Sequence, residues 1–360
     1  MPPAPPLDDP LPDPRDPAGG RLRTPVCDLL GCRWPVLLAG MGGVSHWELA
    51  AAVARAGGYP TLGMVREDPA LIAQEVLALR RATDRPFAVN LIPAATDPAL
   101  LEAQLDRCIE LGVPAFSFFW DVRPEAIRRA KDAGCLVLHQ VGTLEAAREA
   151  EHAGADLLIA QGIEAGGHVH GRMGALALAA GMIAQSALPV VVAGGIADGR
   201  GLAAALAMGA AGVQCGTAFL ATEESFAHPY HKARVVEATA ADTLLTDVFV
   251  LNWPKGAAVR VLANSITEKL DGRLMGHDPA ELPREAIAWD GELPRLRYST
   301  DSPLRTTRGD LEAMALFAGQ GVGALRDIPP AGTRLARIVA EADALLAGAA
   351  ERRHEREPVR

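Results

Sequence analysis

Aromatic residues are scarce in this 360-residue chain, with 5 Trp, 3 Tyr and 8 Phe. That composition suits helices packed closely on a sheet better than an aromatic-rich β-sandwich. Basic residues are in the minority: 35 Lys and Arg stand against 44 Asp and Glu, a formal net charge of −9. Nucleic acid or an anionic membrane surface would call for a basic face, so neither is expected as a partner. Cysteine is limited to Cys27, Cys32, Cys108, Cys135 and Cys215, an odd number without paired spacing. Cys27 and Cys32 have no second pair to complete a zinc site. The five read as reduced, mostly core thiols of a cytoplasmic protein, and no metal is expected. No apolar run reaches the length of a bilayer span. The opening "MPPAPPLDDPLPDPRDPAGG" lacks the basic and apolar regions of a signal peptide and reads as a disordered leader over residues 1–24.

With 49% hydrophobic residues, the chain can bury a large core, most naturally as one α/β domain with an appendage. From residue 34 short apolar runs alternate with longer Ala/Leu/charged stretches. The runs are "VLLAGM", "YPTLGMV", "FAVNLI", "AFSFFW", "LVLHQV", "LLIAQGI", "VVVAGGI" and "GVQCGTAFL". Most are continuously apolar, as strands covered on both faces are. The intervening "WELAAAVARAG", "TLEAAREAEHAG" and "GLAAALAMGA" carry helical periodicity, several closed by Gly. Eight such units over residues 25–221 predict a (β/α)8 barrel. A doubly wound sheet is disfavoured, because the first strand is not followed by a Gly-rich fingerprint with an acid about 20 residues on. After residue 221 the rhythm breaks. "HPYHKARVVEA", "AVRVLANSITEKL", "GDLEAMALFAGQGVGAL" and "GTRLARIVAEADALLAGAAERR" read as helices. A mostly helical appendage over residues 222–345, leaning across the barrel mouth, and a frayed tail over 346–360 are therefore expected.

Barrel chemistry sits at the C-terminal ends of the strands. Glycines and polar residues gather at those ends here, in "AGMGG", "VNL", "HQVGT", "QGIEAGGHVHG", "AGGI" and "QCGT". The last two are Gly-rich turns close before helices, where backbone N–H groups can hold an anion. A phosphorylated ligand is the expectation.

"AGM", "QGIEAGGH", "AGGIADGRG" and "VQCGTAFLATEES", in this order and spacing, resemble the nitronate monooxygenase family, formerly the 2-nitropropane dioxygenases. "HPYHKARV", "RVLANS" and "MALFAGQGVG" extend the resemblance over roughly residues 25–345. The resemblance implies an FMN-dependent TIM barrel that oxidises alkyl nitronates, and nitroalkanes in some cases, with O2 to a carbonyl compound and nitrite. It implies that Ala39, Gly40 and Met41 lie against the flavin ring. Asn90, Gln140 and Gln161 would reach its polar edges or ribityl chain, Gln214 would lie near the phosphate, and Gly167 would permit close approach. Gly194, Gly195, Gly216 and Thr217 would hold the phosphate. Some relatives carry a lysine where Gln140 stands, so charge stabilisation near the flavin would fall to another group here. His168 would be the general base or the partner of an anionic substrate, since a histidine titrates near neutral pH. His170 is a pocket neighbour at best, and Glu164 an acceptor that orders the loop. Gln320 is a second-tier contact, and the pair His228 and His231 reads as packing. The resemblance is compatible with a homodimer.

Two other readings stay open on the sequence. Related NAD(P)H-dependent reductases of quinones or enoyl thioesters share the barrel and much of "EAGGH". A flavin-free barrel enzyme acting on a sugar phosphate would ordinarily bring a Lys or paired carboxylates to its strand ends, and these ends have neither.

Overall fold

The computed structural model describes residues 17–354. Its centre is a barrel of eight parallel strands. In chain order these are β1 (Val36–Leu38), β2 (Thr61–Gly63), β3 (Ala88–Leu91), β4 (Ala115–Phe119), β5 (Leu136–Val141) and β6 (Leu157–Gln161). A short strand off the barrel follows, β7 (Gly167–Val169), and then β8 (Val190–Ala193) and β9 (Gly212–Cys215) complete the set. The sheet runs β1-β9-β8-β6-β5-β4-β3-β2, and a parallel bridge between Leu37 and Tyr59 brings its two ends together. The expected (β/α)8 architecture is present.

The helices begin where the sequence provides caps. Asp68 accepts from Ala70 N ahead of α4 (Pro69–Ala82), and Asp97 accepts from Ala99 N and Leu100 N ahead of α5 (Pro98–Glu110). Each has proline at its first position, where the missing N–H costs nothing. A first-turn pair precedes them: α1 (Pro17–Leu22) and α2 (Pro25–Leu30), with α3 (Trp47–Arg55) following β1. Val26, Cys27 and Leu30 of α2 pack with Leu37, Ala88, Ala115, Leu138, Leu157, Ile159 and Val191. Helix α2 thus plugs the bottom of the barrel, and the opposite end stays open for chemistry. The five cysteines are free and buried.

The remaining ring helices are α6 (Pro124–Asp132), α7 (Leu144–Ala153), α8 (Ala175–Ile183), α9 (Gly199–Ala207) and the four-residue α10 (Thr217–Leu220). The chain then leaves the barrel through α11 (Pro229–Glu237) and five strands: β10 (Thr243–Thr246), β11 (Ala258–Leu262), β12 (Ala286–Asp290), β13 (Leu293–Leu296) and β14 (Arg308–Gly309). It returns as α12 (Ala331–His354), which packs on α9 and α3 and closes the ring.

Four expectations need correction. The appendage is not mostly helical. "AVRVL" is strand β11, lying antiparallel between β10 and β7, where its β-branched Val259 and Val261 suit a sheet. "GDLEAMALFAGQGVGAL" forms two 3-10 turns, Leu311–Ala313 and Gln320–Ala324, with Phe317 bridged to Val261 between them. The leader expected over 1–24 does not hold for residues 17–24: α1 starts at Pro17, Leu22 is fully buried and Arg21 pairs with Asp343 of α12 at 3.1 Å. Residues 1–16 lie outside the described residues. The tail is helical through His354, and residues 355–360 lie outside the described part.

Candidate active site

The C-terminal ends of the barrel strands open into a cavity of about 500 Å³. Ala39, Gly40, Met41, Asn90, Gln140, Gln161, Gly167, His168, Gly194, Gly195, Gln214, Gly216 and Thr217 all line it. Sequence-distant strand ends are thereby brought to a single wall, with appendage residues Asn252, Trp253, Leu293, Arg295, Asp301 and Phe317 facing them.

The floor is a layer of neutral amides. Side chains alternate along a strand, so Ala88, Leu138 and Ile159 in the apolar barrel interior are followed two residues on by Asn90, Gln140 and Gln161. Gln214 Nε2 donates to Gln140 Oε1 at 2.5 Å. Asn90 Nδ2 donates to Ser117 O at 2.9 Å, while its Oδ1 is buried without a partner. A buried acceptor left unpaired costs roughly 1–3 kcal/mol, which marks a place for a ligand donor. A Cβ on Gly40 would lie 2.2 Å from Asn90 Cβ, so only glycine lets this turn approach the floor. Gln161 is engaged otherwise: its Nε2 donates to His168 O at 2.8 Å and its Oε1 accepts from His170 N at 3.3 Å. It holds the backbone on either side of Val169 rather than offering a free amide.

One side of the cavity is glycine. Gly194 and Gly195 have φ of +109° and +72°, a region that penalises side chains. A Cβ on Gly195 would press on Glu164 Cβ at 3.2 Å. Glu164 itself accepts from Ala175 N at 2.9 Å through its carboxylate and from Gln320 N at 2.9 Å through its carbonyl. It ties the 162–166 turn to the start of α8 and to the appendage. Thr217 Oγ1 accepts from Gly319 N at 3.0 Å.

The other side is aromatic. His168 does not sit in a loop, as the glycines around it suggested. It lies in β7, paired with Val259 of β11. Its ring stacks on Trp253 with centroids 3.4 Å apart, and Trp120 and Phe317 approach it at 6.3 and 5.6 Å. His168 Nε2 is buried without a hydrogen-bond partner. Burial, and then the charge of Arg66, hold its pKa well below the ordinary histidine value. His168 is thus a neutral imidazole at physiological pH, not a group poised near 6.5.

His170 and Gln320 do not line the cavity, although Gly319 and Gly321 do. His170 instead lies tilted against Trp120, with ring centroids 4.8 Å apart. His228 Nδ1 caps α11 by accepting from Tyr230 N, and His231 Nε2 contacts Phe317 O at 3.0 Å, so both are structural. Sequence reading missed Arg66, Ile92, Phe119, Trp253 and Phe317. Arg66 stands three residues past the end of β2, so its position near a strand end was a usable signal. Trp253 and Phe317 offered none, because only the tertiary fold lays them over the barrel.

The profile of the nitronate monooxygenase family matches residues 23–341. The chain belongs to that family. It is an enzyme, an oxidoreductase of a flavin-dependent family. A nitronate monooxygenase of Pseudomonas aeruginosa is 34% identical over 353 aligned positions, covering 84% of this chain and 95% of that protein. The (3aS,4S,5R,7aS)-5-hydroxy-7a-methyl-1-oxo-octahydro-1H-indene-4-carboxyl-CoA dehydrogenase of Mycobacterium tuberculosis is 33% identical over 350 positions, covering 89% and 96%. Among solved structures, nitroalkane oxidase from Streptomyces ansochromogenes superposes with a TM-score of 0.74 at 32% identity, covering 90% of this chain and 99% of that one. FabK from Thermotoga maritima gives 0.75 at 31% identity, covering 91% and 99%. Among the described residues no helix is long and apolar enough to cross a membrane.

Proposed function

We propose that this member of the family is an FMN-dependent nitronate monooxygenase, oxidising alkyl nitronates with O2 to a carbonyl compound and nitrite. The observation that carries the reading is one cavity with two unlike sides: glycine turns at the ends of β8 and β9, and a neutral, half-buried His168 under an aromatic wall. The first side suits a phosphate, which backbone N–H groups bind without a competing side chain. The unpartnered Asn90 Oδ1 and the amide floor suit a flat heterocycle with donors at its edge. A volume of about 500 Å³ lies within the ordinary range for cofactor sites.

The residues present fit FMN, and their places in the cavity support the following roles. Gly194, Gly195, Gly216 and Thr217 would hold the phosphate. Ala39, Gly40 and Met41 would face the ring through their backbone, with Gly167 leaving room for close approach. Asn90, Gln140 and Gln214 would reach its polar edges, and Gln161 orients β7. FMN, when bound, supplies the redox chemistry. The protein supplies position, dryness and a place for one proton. His168 is in the state that accepts a proton or a hydrogen bond, yet burial makes its imidazolium costly. A nitronate, already deprotonated, asks less of that group than a neutral nitroalkane does, so nitronate is the better substrate.

Purified protein mixed with an alkyl nitronate in air tests this directly. Yellow protein that releases FMN on denaturation, and nitrite formed in step with oxygen uptake, are the expected results. Colourless protein that takes up no added FMN would remove the reading.

A further inference from the structure

Four charged side chains reach the cavity wall: Arg66, Glu67, Arg295 and Asp301. Arg295 is already paired, with Nε 2.7 Å from Asp290 and Nη1 3.5 Å from Asp301. Burial raises the pKa of Glu67, against the lowering pull of the His46, Arg295 and Arg66 charges. Arg66 differs from both. Among the described residues it has no ion pair within 4 Å, and Nη1 donates to Asn252 O at 2.9 Å. A guanidinium carries five N–H donors, so most of its fork is free. Its Cζ lies 5.8 Å from the ring centroid of Trp253, the indole stacked on His168. The backbone at Arg66 has φ of +59°, a conformation that non-glycine residues seldom adopt and that clusters at functional sites.

We infer that Arg66 is the substrate-binding cation of this enzyme, holding the two oxygens of a nitronate beside His168 and selecting the anion over the neutral nitroalkane. The inference rests on the nitronate reading above. A nitronate presents two oxygens on one nitrogen, in the planar spacing that a guanidinium fork grips in carboxylates. Ile92, Phe119, Trp253 and Phe317 line the same cavity and receive the hydrocarbon part. Charge complementarity therefore enters from the end of β2, while the end of β5 carries the neutral Gln140. The same positive charge opposes protonation of His168, which handicaps a substrate that must first lose a proton and leaves a preformed anion unaffected.

Nitrate, a planar anion with the same O–N–O edge, serves as the probe on the flavin-loaded protein. Nitrate is expected to perturb the flavin absorbance of the wild type saturably. Arg66→Gln should need about 10–100-fold more nitrate, the usual range for losing a charge-assisted hydrogen bond, and Arg66→Lys should recover part of the loss. In turnover, the KM for nitronate should rise by the same factor with kcat little changed, as when uniform binding is removed. The KM for a neutral nitroalkane should not move. A wild-type spectrum indifferent to nitrate, an Arg66→Gln titration matching the wild type, or equal KM changes for both substrates would overturn the inference. If the wild type releases no nitrite from nitronate, the functional reading fails, and the nitrate titration still decides whether Arg66 holds an anion.

Discussion

The two sides of the cavity are built in opposite ways. The glycine side comes from turns within a few residues of their own strands, and its shape depends on backbone that no side chain crowds. The aromatic side is assembled across the chain: Arg66 follows β2, His168 lies in β7, and Trp253 and Phe317 belong to the appendage. The first side should tolerate little added bulk where its turn is already crowded, as at Gly195. The second should change selectivity by degrees when one member is altered. A barrel can thus keep one wall of its cavity fixed while an insertion between β9 and α12 shapes the other.

The largest expected effect follows from this contrast. Gly195→Leu puts a side chain at φ +72° and drives it against Glu164. It should yield folded, colourless protein, checked by circular dichroism and flavin absorbance. Gly216→Ala should keep its flavin, because its Cβ would meet Ala39 Cβ and Met41 Sδ at an ordinary 3.6 Å. Equal flavin loss in both would erase the distinction between a crowded turn and a roomy one.

Next comes His168→Asn. General-base catalysis is typically worth about 10²–10⁴-fold, so oxidation of a neutral nitroalkane should fall within that range. Oxidation of a nitronate should fall much less, and His170→Asn should produce no such split. Because burial and Arg66 depress the pKa of His168, the acid limb of kcat/KM for the nitroalkane should lie well below pH 6.5. A limb at 6.5 would mean the imidazole is solvated when substrate meets it.

A smaller effect concerns stability rather than turnover. His139 and His231 are fully buried, and burial pushes each down to about 4. Between the ordinary value and that pH the unfolded chain binds protons that the native state refuses. Stability therefore falls as pH drops, by about 1.4 kcal/mol per pH unit for each histidine. Melting temperatures should decline from pH 6.5 toward 4, and His139→Leu should flatten the slope. An unchanged slope would place the acid sensitivity in other groups.

The barrel and the glycine side of its cavity were legible because their signals are local. Apolar runs mark strands, and "AGGI" and "QCGT" mark the turns where backbone is exposed. The appendage was misread for a physical reason: "AVRVLANSITEKL" satisfies a helical period as well as a strand's alternation. Only pairing with Thr243–Thr246 and Gly167–Val169 decides for the strand. His168 was legible as a residue but not in its state. Its depressed basicity depends on Trp253 above it and Arg66 beside it, groups from opposite halves of the chain.

Whether the cavity serves a nitronate or a nicotinamide is tested most directly by oxygen uptake and NAD(P)H consumption measured side by side on the purified enzyme. A nitronate monooxygenase takes up oxygen and releases nitrite when an alkyl nitronate is added without NAD(P)H, and that is the expected result. Rapid NAD(P)H oxidation with a quinone or an enoyl thioester, and no oxygen uptake with nitronate, would contradict it.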